Sequence, residues 1–300
     1  MSQAIETLSR VGDEISDTRK LALEKLFTRV GEVTALPESA LNVVRLASHP
    51  DADPQAVCEA IKQDPALAAK VLRSVNSSRY GLRHKVGNLQ MAISLLGLRE
   101  VKAIAHGVYM SKMFAPSGSY KTYDRQGLWK HSVGVARMSE EIAKRVGQVD
   151  AEQCYYAGLL HDIGLLVIDQ SMHRPFCQII DRVAEGAELC ATEREVLTFD
   201  HTHLGAFVTE QWKMPGVIVA AAQHHHEPNS YHGEFEREVK IVAIANFFNS
   251  RHGVSALGVD SAKFPGDAIF RSIGLSDQDC LALVEAMDEV LARAEEEAEV

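Results

Sequence analysis

Apolar residues recur at three- and four-residue spacing along nearly the whole 300-residue chain, which is the periodicity of amphipathic helices. Asp53-Pro54 and Asp64-Pro65 each place an acid that can cap a helix before a proline at the first helical position. They predict helices over 54–62 and 65–75, and Gly97 is expected to end a later helix. The chain is therefore predicted to be all-α, a multi-helix bundle.

Breaks in the helical pattern divide the chain into segments. Ala115-Pro116-Ser117-Gly118-Ser119 is the strongest cluster of helix-breaking residues, and we place a subdomain boundary near it. The predicted order is a helical extension over 1–30, an N-terminal helical subdomain over 31–115, a second helical subdomain over 124–252, and a C-terminal segment over 253–300. Within that last segment, 253–274 is expected to be irregular and a final helix is expected from Ser276.

Composition excludes several classes of protein. The formal charge of −10 argues against a general nucleic-acid surface, although Arg79 to Lys85 form a small basic loop. The N-terminus has no signal-like apolar stretch, and no apolar run is long enough to span a membrane, so a cytoplasmic location is expected. Five cysteines without a CxxC pair predict reduced thiols rather than a disulfide framework.

The dipeptide His161-Asp162 interrupts an apolar run within a helix predicted over 151–169. An imidazole and a carboxylate are costly to bury unless they bind each other, a proton or a metal. Other candidate ligands lie on other predicted helices: His131, His201, His225 and His226, while the sequence leaves the roles of His203 and His224 open. Bundles collect metal ligands in this way, and imidazole and carboxylate suit iron, manganese or zinc. A hydrogen-bonded polar core without a metal is the alternative.

Leu160-His161-Asp162-Ile163-Gly164, preceded by His131, resembles the HD superfamily of metal-dependent phosphohydrolases. The flanking regions resemble the HDOD domain, an HD-related output domain of bacterial signalling proteins, through Leu36-Pro37, Asp64 to Leu67, Val71 to Ser77, Ala92 to Leu98, Asp200 to Gly205, Trp212 to Pro215 and His225 to Pro228. The resemblance covers about 31–252. It implies an HD-type bundle with an N-terminal helical subdomain and a role in bacterial signal transduction.

Three departures from catalytic relatives bear on activity. Asn246 stands where the resemblance implies a closing aspartate, Leu165 stands where many relatives carry a lysine, and no Gly-Tyr-Pro element follows His225. The last absence argues against a cyclic-dinucleotide phosphodiesterase of the HD-GYP type. A neutral amide supplies no negative charge to a metal, so Asp162 is left as the one clear carboxylate. Asp169, Asp200 and Glu227 are candidates to compensate.

Two functions follow. The first is a non-catalytic signalling module that docks on a kinase, a cyclase or another regulator, with a degenerate HD metal site. The second is a metal-dependent phosphohydrolase acting on a nucleotide or phosphodiester, with Asp162 as its essential ligand. A sensor that uses histidine-bound iron is a further interpretation. Asn76-Ser77 and the basic loop after it are read either as partner-facing or as a capped helix end with a polar turn.

Overall fold

A computed structural model describes residues 42–43, 46–47, 52–77, 80–82, 84–114, 119–259 and 263–298. The predicted extension over 1–30 lies outside the described residues, as do most of the residues at the predicted boundary. The prediction of an all-α bundle is confirmed, because the described chain is helical apart from one two-stranded hairpin. No helix in these ranges is long and apolar enough to cross a membrane.

One compact unit lies within residues 36–116. It contains helices α1 (Pro54–Lys62), α2 (Pro65–Val75) and α3 (Leu89–Phe114). The side chain of Asp53 accepts a hydrogen bond from the backbone nitrogen of Gln55, so the acid–proline signal reported the start of α1 correctly. Gly97 adopts a φ of 77° and kinks α3, which agrees with the predicted helix end at this glycine.

Asn76 closes the loop that follows α2. Its amide nitrogen donates to the carbonyl oxygens of Leu72 (2.7 Å) and Val86 (2.8 Å), and its side-chain oxygen accepts from the backbone nitrogen of Val86 (2.8 Å). The two bonds to Val86 join residues ten positions apart, and the side chain of Val86 is buried. The polar turn after α2 therefore has a structural role: through these hydrogen bonds, called the Asn76 bracket below, it holds Val86 against the end of the helix.

The other compact unit lies within residues 117–296. It begins with an antiparallel hairpin of β1 (Ser119–Tyr120) and β2 (Tyr123–Asp124), in which Tyr120 pairs with Tyr123. The helices that follow are α4 (Arg125–Val146), α5 (Ala151–Leu160), α6 (Ile163–Ser171), α7 (His173–Ala184), α8 (Leu189–Leu197), α9 (His201–Gln211), α10 (Gly216–His224), α11 (Glu236–Arg251), α12 (Asp267–Ile273), α13 (Asp277–Glu285) and α14 (Met287–Ala298), with a 3₁₀ turn at Pro228–Ser230.

Close helix crossings bring the second half of the bundle together. Helix α4 packs on α5 and α11, α9 packs on α6 and α10, and α10 also packs on α5. Gly164 allows the crossing of α6 and α9, because a Cβ atom there would lie 2.0 Å from the carbonyl oxygen of His201. Gly158 allows that of α5 and α4, since a Cβ there would lie 2.9 Å from the Cα of Ala136.

Three local predictions were wrong. The helix predicted over 151–169 breaks at His161-Asp162, because Asp162 leaves the helical region (φ −102°, ψ 14°) and the chain restarts as α6. The stretch 253–274 is not wholly irregular, since Gly266 and Gly274 flank the short helix α12, which buries Ile269, Phe270 and Ile273. The final helix from Ser276 is also divided, into α13 and α14.

Candidate metal centre

Four histidine side chains converge on the carboxylate of Asp162. His131 comes from α4, His161 from the turn before α6, His201 from the first position of α9, and His225 from the residue after α10. The Oδ2 atom of Asp162 lies 3.5 Å from Nε2 of His131 and 3.2 Å from Nε2 of His161. The Oδ1 atom lies 3.4 Å from Nε2 of His201 and 3.2 Å from Nε2 of His225. All five residues are buried.

Backbone carbonyls set the tautomers of three of these rings. The Nδ1 atoms of His131, His161 and His225 lie 2.7 Å from the oxygen of Val254, 2.7 Å from that of Gly158 and 3.0 Å from that of Ala221. A carbonyl oxygen only accepts hydrogen bonds, so each Nδ1 must donate. A neutral ring then carries its lone pair on Nε2, and those three Nε2 atoms have no hydrogen-bond partner. Lone pairs of imidazole and carboxylate therefore face one another across a small buried space.

The ionisation states agree with this geometry. Burial lowers the pKa of His131 to about 4 and also lowers the pKa of His225, so both rings are neutral near pH 7. Burial alone would raise the pKa of Asp162, but the interaction with His161 and the contacts of His201 and His225 hold it well below its ordinary value. An ionised carboxylate surrounded by inward-facing lone pairs is a ligand set for a cation.

His201 is held differently from the other three rings. Its Nδ1 lies 2.6 Å from Oε2 of Glu193, a fully buried carboxylate on α8, and its backbone nitrogen donates to the same oxygen (3.0 Å). Burial alone would lower the pKa of His201, but Glu193 raises it well above its ordinary value. Nε2 of the partly exposed His226 lies 3.1 Å from Nε2 of His201, which puts His226 at the edge of the cluster.

The chain matches a known protein family. The family model of the HDOD domain matches residues 33–228. This chain belongs to the HDOD domain family. An uncharacterised protein of Treponema pallidum (strain Nichols) is 24% identical to it over 234 residues, or 77% of this chain and 44% of that protein. The HDOD chain thus spans less than half the length of this relative.

Solved structures share the HDOD fold. An HDOD domain protein of unknown function from Geobacter sulfurreducens has a TM-score of 0.76 and 23% identity, covering 99% of this chain and 97% of its own. A Shewanella amazonensis SB2B protein, provisionally named a phosphohydrolase, has a TM-score of 0.70 and 24% identity, covering 91% and 97%. At these identities the likeness establishes the fold, including the predicted HD-type helical architecture.

His203, His224 and two of the acids proposed from the sequence, Asp169 and Asp200, have partners outside this cluster. Nδ1 of His203 lies 2.7 Å from the carboxylate of Asp200, and the ring of His224 contacts that of Tyr231. Asp169 binds Arg125 through its carboxylate (2.5 Å). The groups of described residues that could share an ion with Asp162 include neither Asp169, Asp200 nor Glu227.

Asn246 lies on α11 and is buried, and its side-chain oxygen accepts from the hydroxyl of Ser250 at 3.4 Å. The acid that sequence reasoning missed is Glu193. It sits in the charged run Thr192-Glu193-Arg194-Glu195, which is typical of a solvated helix face, and no local signal in the HDOD sequence distinguishes it. The cluster within the described residues could therefore hold a metal with His131, His161, Asp162, His201, His225 and, at its edge, His226.

Proposed function

We propose that this HDOD protein is a metal-binding regulatory module of signal transduction, which acts through contacts with other signalling proteins and not through turnover. The metal-binding part of this proposal rests on the imidazole and carboxylate lone pairs that face one another around Asp162. Three buried Nε2 atoms and Oδ1 of Asp162 lack hydrogen-bond partners, and buried polar atoms are rarely left so. A divalent ion bound to Asp162 would be a partner for such atoms.

The small number of negatively charged ligands around Asp162 supports the non-catalytic part of this proposal. Asp162 is the one carboxylate in the two described ligand groups that contain it, and the other members are imidazoles. A dinuclear phosphohydrolase site holds two divalent ions about 3.5–4 Å apart and relies on anionic ligands to offset their charge. One ion with one direct carboxylate fits this set better than two ions would.

A second candidate function is metal-dependent hydrolysis of a phosphodiester or nucleotide. The observation that favours it is the division of the ligands between the two oxygens of Asp162. His131 and His161 face Oδ2, whereas His201 and His225 face Oδ1, so the two oxygens of Asp162 could serve as ligands to two different ions. The phosphohydrolase name given to the Shewanella protein points in the same direction.

Metal content and turnover separate the two functions. The chain, purified without chelator and reloaded with Mn²⁺, Fe²⁺ or Zn²⁺, should hold one ion, and Asp162→Ala should hold none. Glu195→Ala, which changes an exposed acid on α8, is the matched control and should keep the ion. No turnover of nucleotides or of linear and cyclic phosphodiesters is expected. Two ions per chain, with hydrolysis that Asp162→Ala abolishes, would refute the non-catalytic function and establish the second.

A further inference from the structure

We infer that Glu193 is the second anion of the metal centre, and that it acts through His201 as a positioning residue without binding the ion itself. The inference rests on the proposed metal-binding function. Asn246 is neutral, although the resemblance to catalytic HD proteins implies an aspartate at this position. Another group must therefore supply the missing negative charge. Asp169 and Asp200 have other partners, and Glu227 belongs to no described group that could share an ion with Asp162. Glu193, in contrast, contacts His201 directly.

The geometry ties Glu193 to one ring orientation. A single oxygen, Oε2, accepts both the backbone N–H of His201 (3.0 Å) and its ring Nδ1–H (2.6 Å). Two bonds from one residue fix both the start of α9 and the rotation of the imidazole. Because Nδ1 donates to Glu193, the ring presents Nε2 to Oδ1 of Asp162, 3.4 Å away, and this nitrogen is the one that a metal ion would bind.

Glu193 differs from the groups that orient the other rings. His131, His161 and His225 donate to neutral backbone carbonyls, whereas His201 donates to a carboxylate. A hydrogen bond to an anion increases the electron density on the far nitrogen of the ring and so strengthens its bond to a metal. His201 should therefore be the strongest of the four imidazole ligands.

The charges of the buried groups also favour Glu193 as the second anion. Glu193 and Asp162 are both nearly inaccessible to solvent, and Oε1 of Glu193 has no hydrogen-bond partner. A buried negative charge needs a compensating positive charge nearby. If a divalent ion replaces the proton on Nε2 of His201, the four imidazoles are neutral and the two carboxylates balance the charge of the ion. Glu193 thus makes a single-ion centre electrically neutral although position 246 is an amide.

The test replaces the charge and keeps the shape. Glu193→Gln retains an oxygen that accepts both N–H groups of His201, and Glu195→Gln on the same helix, where the side chain is 63% exposed, is the matched control. Zn²⁺ affinity is measured for both by competition with a chromophoric chelator, alongside the unfolding temperature of the metal-free proteins. We expect Glu193→Gln to bind Zn²⁺ at least roughly tenfold more weakly, with no loss of metal-free stability, and Glu195→Gln to match wild type within about twofold.

A purely structural role for Glu193 predicts the reverse: a lower unfolding temperature of the metal-free variant and an unchanged affinity, and this result would overturn the inference. If Glu193→Gln fails to fold, ¹H–¹⁵N spectra of the histidine rings in wild-type protein loaded with Zn²⁺ decide the matter. His201 should be protonated at Nδ1 and metal-bound at Nε2, and the opposite tautomer refutes the inference. Wild type that binds no Zn²⁺, Mn²⁺ or Fe²⁺ refutes the proposed function as well, so the two failures are distinguishable.

Discussion

Gly164→Ala tests whether the close crossing of α6 and α9 assembles the site. A Cβ atom at this position would lie 2.0 Å from the carbonyl oxygen of His201, 2.8 Å from its carbonyl carbon and 3.0 Å from the nitrogen of Gly205. All three contacts are with backbone, so no side chain can rotate to relieve them. The two helices must separate by about 1 Å to bring the shortest contact to the 3.0 Å that real Cβ atoms respect.

That displacement has a calculable cost. Overpacking against backbone destabilises a protein by about 1–3 kcal/mol. For a domain of this size each kcal/mol lowers the unfolding temperature by roughly 2–4 °C, so a fall of roughly 2–12 °C is expected. The separation also moves His201 relative to Asp162, whereas metal ligands tolerate distance errors of only about 0.2 Å. Zn²⁺ affinity should therefore fall with stability.

Thermal unfolding with and without Zn²⁺ measures both effects. The matched control is Gly205→Ala on the facing helix, where the nearest atoms to a new Cβ lie at ordinary contact distances of 3.5–3.6 Å. This control should be as stable as wild type or slightly more so, because alanine favours helix over glycine. If Gly164→Ala unfolds within about 2 °C of wild type and binds Zn²⁺ equally well, the crossing does not position the ligands.

Three further predictions concern single groups. The pKa of His131 is about 4 in the folded protein and about 6.5 when unfolded, so the unfolded chain binds more protons at this residue between these values. His131 alone should therefore lower the metal-free stability by about 3 kcal/mol from pH 7 to pH 4. Urea unfolding should show a shallower decline for His131→Gln, and an identical decline would contradict this. Asn76→Ala leaves the buried backbone of Val86 without two bonds and should cost about 2–3 kcal/mol in the same assay, while a cost below about 0.5 kcal/mol would mean that the Asn76 bracket is dispensable. Asp162→Asn should lose Zn²⁺ binding yet remain folded by circular dichroism, and retained binding would show that the imidazoles suffice.

Local chemistry explains what could be predicted. An acid before a proline specifies a helix start through one side-chain hydrogen bond, and the described bounds of α1 and α2 agree with the prediction. A glycine with positive φ ends a helix wherever it lies, which is why Gly97 was placed correctly. His161-Asp162 was identified as a site because a polar pair inside an apolar run is informative without knowledge of the fold.

The same reasoning failed where distant groups compete with local preference. The apolar run around His161-Asp162 is typical of a continuous helix, yet the chain turns there and the carboxylate of Asp162 does not cap α6. It faces four histidines instead. Helix periodicity describes one segment at a time, so it cannot predict that a side chain interacts with residues from other helices.

By itself, the sequence determined the helical class, the family and the principal residues of the centre, because these depend on residue identity and short spacing. Only the tertiary structure separated His203 and His224 from the cluster and revealed Glu193 within it. Glu193 belongs to a charged run that resembles any solvated helix face, and its role depends on α8 approaching the first turn of α9. The number and charge of the groups around Asp162 depend on how these helices pack, and no local sequence pattern predicts that packing.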